Sequence, residues 1–275
     1  QQIVWGESLG LFFADVVNAK DLREYILPDF EWIRIPQWGL DAEWSQEDFH
    51  AEFVWLPILQ FNRLAPSGAE FEFPYPVPAG VPFTSVDPST PPSSFNNGEA
   101  GGRLSYLVDG WDLSGFYFYT WDKAPIPYRQ IVGGTYQFRP AYERAHLMGV
   151  TVSKAVQDVV LRGEMVYNPN QSLVTFDTGD EDGILEKSVV DYVLGAGYTW
   201  FDRLQTNLQW MQRVIPNHRD LMEEDAVRSH VSLWAKMDFL DGKLEPECLV
   251  LTGVTEVDLL YQPKVTYNAT DNLEL

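Results

Sequence analysis

Serine, histidine, cysteine and carboxylate side chains are the groups through which this chain would do chemistry, and none of them falls into a productive spacing. Gly6-Glu7-Ser8-Leu9-Gly10 has the spelling of a nucleophile elbow. It lacks the strand-turn-helix context that exposes such a serine, and no Asp…His partners follow in an α/β pattern. The histidines, His50, His146, His218 and His230, form no His-x-x-x-His or Glu-x-x-His ligand pair. Thr178-Gly179-Asp180-Glu181-Asp182-Gly183 is acidic enough to attract calcium but lacks the spaced ligands and the closing glutamate of a calcium loop. The single cysteine, Cys248, excludes an internal disulfide framework and a cysteine zinc cluster. Gly98 and Gly101-Gly102 precede a strand rather than a helix, so no phosphate-cradling loop is expected. The expectation is a protein that is not an enzyme and holds no metal or cofactor.

Composition narrows the classes further. The 275 residues carry 19 Lys+Arg against 40 Asp+Glu, a net charge of −21, which argues against a nucleic-acid partner. No run of about 18 apolar residues is present, so no helix is expected to cross a membrane. Gln1-Gln2-Ile3-Val4-Trp5 has no basic start, long apolar stretch or cleavage site, so the chain is expected to begin as a mature protein or a fragment would. Two classes remain: a soluble acidic all-β protein, and a β-barrel of an outer membrane, in which only alternate residues are apolar.

Alternation is the dominant pattern. From Pro36 to Trp44 the positions Pro36, Trp38, Leu40, Ala42 and Trp44 alternate with Gln37, Gly39, Asp41 and Glu43. Val190, Tyr192, Leu194, Ala196 and Tyr198 alternate with Asp191, Val193, Gly195, Gly197 and Thr199. Leu204, Thr206, Leu208 and Trp210 stand against Gln205, Asn207, Gln209, Met211 and Arg213, and Val227 to Phe239 and Val257 to Tyr267 split in the same way. Such runs have roughly the 10 residues that a tilted strand needs to cross a bilayer, and about twelve of them can be counted by this pattern. Pro36, Pro57, Pro246 and Pro263 fall inside these strands, where each removes a ladder hydrogen bond, and are expected at strand ends or bulges.

The connections sort by length. Short turns are expected near 46–48, 109–110, 156–157, 201–203 and 241–242, and the Asp-Gly pairs at 109–110 and 241–242 are strong hairpin formers. Long connections are expected at about 9–29, 65–100, 122–140, 168–186 and 216–226, with a brief turn near Thr255 as the exception to the alternation. A soluble sandwich has no reason to place its short and long loops at opposite ends. Asn18 to Tyr25 is expected to form a short helix capped by Asn18. That helix and the proline-rich stretch 74–99 are candidates to fold inward. No linker is apparent, and residues 1–275 read as a single domain.

Turn positions fix which polar residues face one another. A turn at Phe201-Asp202-Arg203 sets Asp191 opposite Arg213, and Gly195 and Gly197 opposite Gln209 and Asn207. A turn at Asp241-Gly242 sets Lys236 opposite Glu247 and Asp238 opposite Glu245, whereas one at Val156-Gln157 sets Thr151 opposite Arg162 and Gly149 opposite Glu164. The expected lumen lining is Arg162, Glu164, Asp191, Asn207, Gln209, Arg213, Arg228, His230, Lys236, Glu245 and Glu247. Trp32, Trp38, Trp44, Trp55, Trp121, Tyr167, Tyr198, Trp200 and Tyr267 gather near strand ends, as the aromatic girdles of a membrane barrel do.

Several stretches carry a resemblance: Gln2-Ile3-Val4-Trp5-Gly6-Glu7-Ser8, Val17-Asn18-Ala19-Lys20-Asp21-Leu22-Arg23, Glu31-Trp32-Ile33-Arg34-Ile35-Pro36, Asn97-Gly98-Glu99-Ala100-Gly101-Gly102-Arg103-Leu104 and Leu161-Arg162-Gly163-Glu164-Met165-Val166-Tyr167. Together they resemble a Gram-negative outer-membrane family catalogued as domain of unknown function thirteen-oh-two. The resemblance covers most of the chain. It implies an outer-membrane β-barrel acting as a passive conduit for hydrophobic or aromatic solutes such as hydrocarbons, sterols or fatty acids, and it supplies no catalytic residues. Family members extend further at both ends and start with a secretion signal, so the chain is expected to be partial and to lack its closing strands. The fold expectation is an antiparallel up-and-down transmembrane β-barrel. Its expected partners are outer-membrane lipid and a small hydrophobic solute, with a periplasmic lipoprotein or transporter as a candidate. The alternative is a soluble β-sandwich binding module that stacks exposed aromatics on sugars.

Overall fold

The alternating segments all become strands, and the computed structural model describes residues 3–6, 14–25, 27–28, 30–270 and 273–274. The Gly6–Gly10 motif lies mostly outside these residues. In chain order the first elements are β1 (Asp21–Leu22), α1 (Phe30–Ile33), β2 (Leu40–Gln46), β3 (Phe49–Leu56), β4 (Arg63–Leu64), β5 (Phe83–Ser85), β6 (Glu99–Val108) and β7 (Trp111–Trp121). There follow β8 (Arg129–Val132), β9 (Thr135–Phe138), β10 (Arg144–Val156), β11 (Val159–Val174), β12 (Ile184–Trp200) and β13 (Leu204–Val214). The last are β14 (Val227–Met237), β15 (Leu244–Gly253), β16 (Leu259–Thr270) and β17 (Leu273–Glu274). Among the described residues no helix is long and apolar enough to cross a membrane, which leaves open a crossing by strands.

One 12-stranded sheet dominates, in the order β17-β16-β15-β14-β13-β12-β11-β10-β7-β6-β3-β2. Every neighbour pair in it is antiparallel and adjacent in chain order once the small loop strands are set aside. That up-and-down order differs from a sandwich, whose strands divide between two facing layers. β2 and β17 form the two margins of the sheet. The sheet curls: Gln262 of β16 donates to the carbonyl of Leu27 at 2.6 Å, which brings the segment ahead of β2 beside the far margin.

Connections at one end are short, covering 47–48, 109–110, 157–158, 201–203 and 238–243. Those at the other end cover 57–98, 122–143, 175–183, 215–226 and 254–258. Tight turns need left-handed backbone, which Asp109 (φ 49°) and Gly110 (φ 76°) supply, as do Phe201 (φ 53°) and Asp202 (φ 57°). The expected pairings Asp191–Arg213, Gly195–Gln209 and Gly197–Asn207 are the observed ones, and so is Lys236–Glu247. The hairpin near 156 differs. Its turn is Gln157-Asp158, with Gln157 at φ 55°, so Thr151 faces Glu164 and Gly149 faces Val166, not Arg162 and Glu164. The displacement is by two residues, an even number, so every side chain keeps its face.

Three further expectations are revised. Residues Asn18–Tyr25 form no helix: Asp21 and Leu22 pair in parallel with Arg63 and Leu64. The Asn18 amide is taken up by the Asp15 carboxylate at 2.7 Å and the Ile3 carbonyl at 2.6 Å, so it caps nothing. β11 and β12 run to Val174 and from Ile184, well into the stretch expected as a loop. Their pairing continues across a register shift between Asn168 and Gln171, at Pro169, where a bulge accommodates the missing N–H. Pro36 and Pro57 lie outside strands, whereas Pro263 sits within β16, whose outer edge is paired only at Asn268 and Thr270.

The long connections are themselves structured. β5, β9 and β8 form a three-stranded sheet from two of them. Arg129 ties this sheet to a third, donating to the Thr175 carbonyl at 2.7 Å and to the Asp177 carbonyl. Phe176 N–H donates to the Leu221 carbonyl at 2.7 Å and joins the fourth.

Candidate functional site

The two faces of the main sheet differ chemically. One presents Leu40, Trp44, Phe53, Leu104, Tyr117, Val150, Met165, Leu194, Leu208, Leu233 and Tyr261, all exposed. The other carries the polar set. Cross-strand pairing places Arg103 beside Phe116, Phe116 beside Gly149, Gly149 beside Val166, Val166 beside Asp191, Asp191 beside Arg213 and Arg213 beside Arg228 in one continuous row. Thr151, Glu164, Val193, Met211 and His230 form the parallel row next to it.

All eleven residues expected to line a lumen lie on this second face. Glu164, Asn207 and Gln209 are buried in it. Arg213 holds Asp191 bidentately at 2.8 and 3.0 Å and reaches Glu224 at 3.0 Å. Arg228 pairs with Glu256 at 2.8 Å, and His230 lies 3.2 Å from Asp258, both acids belonging to the connection at 254–258. Although Lys236 stands opposite Glu247, its ion pair is with the diagonal Glu245 at 2.8 Å. Glu247 instead accepts the Trp234 indole N–H at 2.6 Å. Arg162 leans toward its glycine neighbours: a Cβ at Gly197 would lie 3.4 Å from its guanidinium. The ion pairs among them lie at several places along the wall rather than in one cluster.

A segment that alternation does not mark lies against this face. Trp5 is fully buried, its ring 5.3 Å from Phe116 and 5.5 Å from Phe118, and its indole N–H donates to Glu52 at 2.9 Å. Val17, Val54, Leu56 and Val166 complete this cluster. Behind Trp5 the chain carries Asp15, which is buried and bound by Arg34 at 2.9 Å, with Lys20 3.6 Å away. Residues 15–20 thus cover part of the polar wall from inside.

Between that segment and the wall lies a cavity of about 230 Å³, lined among others by Asp15, Lys20, Asp122, Lys123, Asp191 and Arg213. Lys123 Nζ holds Glu99 at 2.6 and 2.7 Å, and the Thr120 hydroxyl donates to the same carboxylate at 2.6 Å. Burial pulls the Lys123 ammonium below its usual range, against the opposing pull of Glu99. Asp122, one residue beyond β7, is pushed up to about 7, first by burial and then by the Glu143 carboxylate. Charges of both signs, mostly closed on each other, surround this space.

Asp15, Lys20, Glu99, Asp122 and Lys123 are absent from the expected lining. Glu99 was within reach of the pattern, because Glu99, Gly101, Arg103 and Ser105 alternate with Ala100, Gly102, Leu104 and Tyr106. The others lie in irregular backbone, where no period marks a face. Among the described residues no group of three or more His, Cys, Asp or Glu side chains could hold a metal ion.

Fold and polar wall together define a porin-like antiparallel β protein. The chain belongs to the family described as "Protein of unknown function (DUF1302)", whose sequence model matches residues 1–239. No curated protein matches it. Among solved structures it is similar to a porin refined at 1.8 Å resolution, at 9% identity and TM-score 0.50, over 83% of this chain and 60% of that one. It is also similar to OmpF of Salmonella typhi in complex with daunomycin, at 13% identity and TM-score 0.48, over 82% of this chain and 56% of that one. A third is the outer membrane channel DcaP of Acinetobacter baumannii, at 9% identity and TM-score 0.48, over 84% and 60%. The chain therefore spans less than two thirds of the length of each.

Proposed function

We propose that this chain forms most of the wall of an outer-membrane β-barrel through which small hydrophobic solutes pass passively. The observation that carries this reading is the division of one curled sheet into an exposed apolar face and a polar, charge-bearing face. An apolar face of this extent is unfavourable in water and favourable in hydrocarbon. Closure of β2 toward β17, directly or through further strands, would remove the open edges that an isolated sheet leaves. The eleven polar residues would then line the lumen, and the segment around Trp5 and Asp15 would narrow it.

Such a wall suits a neutral solute. Arg213 offsets part of the charge of Asp191 and Glu224, while Lys123 closes on Glu99 and Arg34 on Asp15. A solute without charge meets wetted dipoles and a few apolar side chains such as Leu147 and Val166. Passage needs binding weak enough to leave.

Reconstitution into liposomes provides the test. The expected result is faster entry of a small apolar solute, such as naphthalene, than in protein-free vesicles, together with a measurable ionic conductance in planar bilayers. Absence of both from correctly inserted protein would overturn the proposal.

A further inference from the structure

We infer that the long connections carry a binding site for a neutral, ring-shaped apolar molecule, separate from the polar wall and placed at the mouth of the sheet. This inference deepens the proposed function by naming a class of solute, and it rests on that reading only for the site's purpose. The site is a cavity of about 550 Å³ between the connection 57–98 and the connection 122–143. That volume lies within the range of roughly 300–1,000 Å³ typical of small-molecule pockets.

Its walls favour flat apolar faces. Tyr75, Phe83 and Phe138 form an aromatic group, with Tyr75 stacked on Phe138 at 4.8 Å and 5.5 Å from Phe83. Tyr75 and Phe83 line the cavity, and Pro74, Pro88, Pro125 and Pro127 add rigid ring edges from both connections. Pyrrolidine and aromatic faces offer dispersion contact without directional bonding, at little entropic cost because these side chains have few rotatable bonds. The Ser85 hydroxyl donates to the Tyr75 hydroxyl, which fixes the Tyr75 ring at the cavity wall.

Charge sets the second half of the specificity. Among the described residues the carboxyl groups lining the cavity are Glu72 and Asp87, and no Lys or Arg lines it. Gly68 N–H donates to the Glu72 carboxylate at 2.6 Å, which holds that carboxyl below its usual range and keeps it ionised. An anionic ligand would meet like charge, and like-charge juxtaposition is unfavourable, less so where water intervenes. Among apolar solutes the cavity therefore selects neutral rings over carboxylates such as fatty acids.

Photolabelling of the full chain in liposomes tests this with a matched pair of probes. Benzophenone is neutral, and 4-benzoylbenzoate adds only a carboxylate to the same reactive rings. Benzophenone is expected to label peptides from 64–88 and 125–140, with the anionic probe on the order of ten-fold weaker there. Phe83→Ala, at an exposed ring, should lower benzophenone labelling by about three-fold or more. Combined Glu72→Gln and Asp87→Asn should raise labelling by the anion and leave that by benzophenone unchanged. Phe73→Ala provides a second ring deletion in case Phe83→Ala disturbs β5. Equal labelling by both probes, or labelling unchanged by both ring deletions, would overturn the inference. Flux measured on the same vesicles separates the two readings. Selective labelling without flux sinks the channel and leaves the site, whereas flux without labelling of these peptides sinks the site alone.

Discussion

Arg213 joins two carboxylates at the wall, holding Asp191 on one side and reaching Glu224 on the other. Arg213→Ala leaves two carboxylates without this cation, and leaving a buried acceptor unsatisfied costs about 1–3 kcal/mol, more when it is charged. The expected outcomes are a lower thermal midpoint by circular dichroism and a shift of ion selectivity toward cations in planar bilayers. Asp191→Asn should move the selectivity the other way. Asp122 gives a pH dependence whose sign follows from its raised pKa. Between about 4, the value of an unfolded aspartate, and about 7 the folded chain keeps a proton that the unfolded chain releases. Stability therefore falls as pH rises through this window, by up to about 1.4 kcal/mol per unit, and levels off above it. Asp122→Asn should flatten that slope in denaturant titrations at a series of pH values. An unchanged slope would show that the Asp122 carboxyl is not the group responsible.

At the scale of elements, residues 3–6 around Trp5 belong to no strand among the described residues, and side-chain contacts hold them. Replacing a buried tryptophan by alanine costs about 3–5 kcal/mol, and Trp5→Ala also leaves Glu52 without the indole N–H. The segment is expected to leave the wall, detected as faster proteolysis near residues 14–20 and larger single-channel conductance. Gly149 tests the same contact from the wall side. A Cβ there would lie 2.2 Å from Phe116 Cζ and 2.8 Å from the Met165 carbonyl, so the ring that packs on Trp5 must shift. Gly149→Ala should reproduce the Trp5→Ala phenotype in weaker form, since overpacking costs typically about 1–3 kcal/mol. These contacts also mark the limit of what the sequence discloses. Strand faces were legible because a period of two is local, and the Asp109-Gly110 and Asp241-Gly242 turns fixed their registers. The hairpin at Gln157-Asp158 was misplaced because neither residue advertises a left-handed turn as glycine does. The Trp5 cluster and the β5–β9 pairing were invisible, because they join residues tens of positions apart through irregular backbone with no period to read, whereas the β8–β9 hairpin carried a local signal in Gly133-Gly134 that the expectation of a loop there missed.

For the whole molecule, the question is which face meets hydrocarbon, and β14 poses it most sharply. Leu233 is 46% exposed on the apolar face, while His230 lies on the polar face beside Asp258. Both are in one strand, so propensity and backbone pairing are nearly matched between them. If the apolar face contacts lipid, a lysine at 233 must sit in hydrocarbon or drag water toward it, at about 2–4 kcal/mol near the bilayer midplane. At 230 it would meet a wetted interior and the acid already there. Leu233→Lys should therefore lower the folded fraction recovered in phospholipid vesicles, read as heat-modifiable mobility in gel electrophoresis, while His230→Lys folds as the parent does. In short-chain detergent micelles, where no midplane exists to cross, the difference should shrink. The net charge of −21 does not predict this contrast, because both substitutions change it alike; only the direction in which each side chain points does. A chain in which position 230 is the intolerant one has its faces reversed, and both the channel and the lining residues assigned to it would go with that reversal.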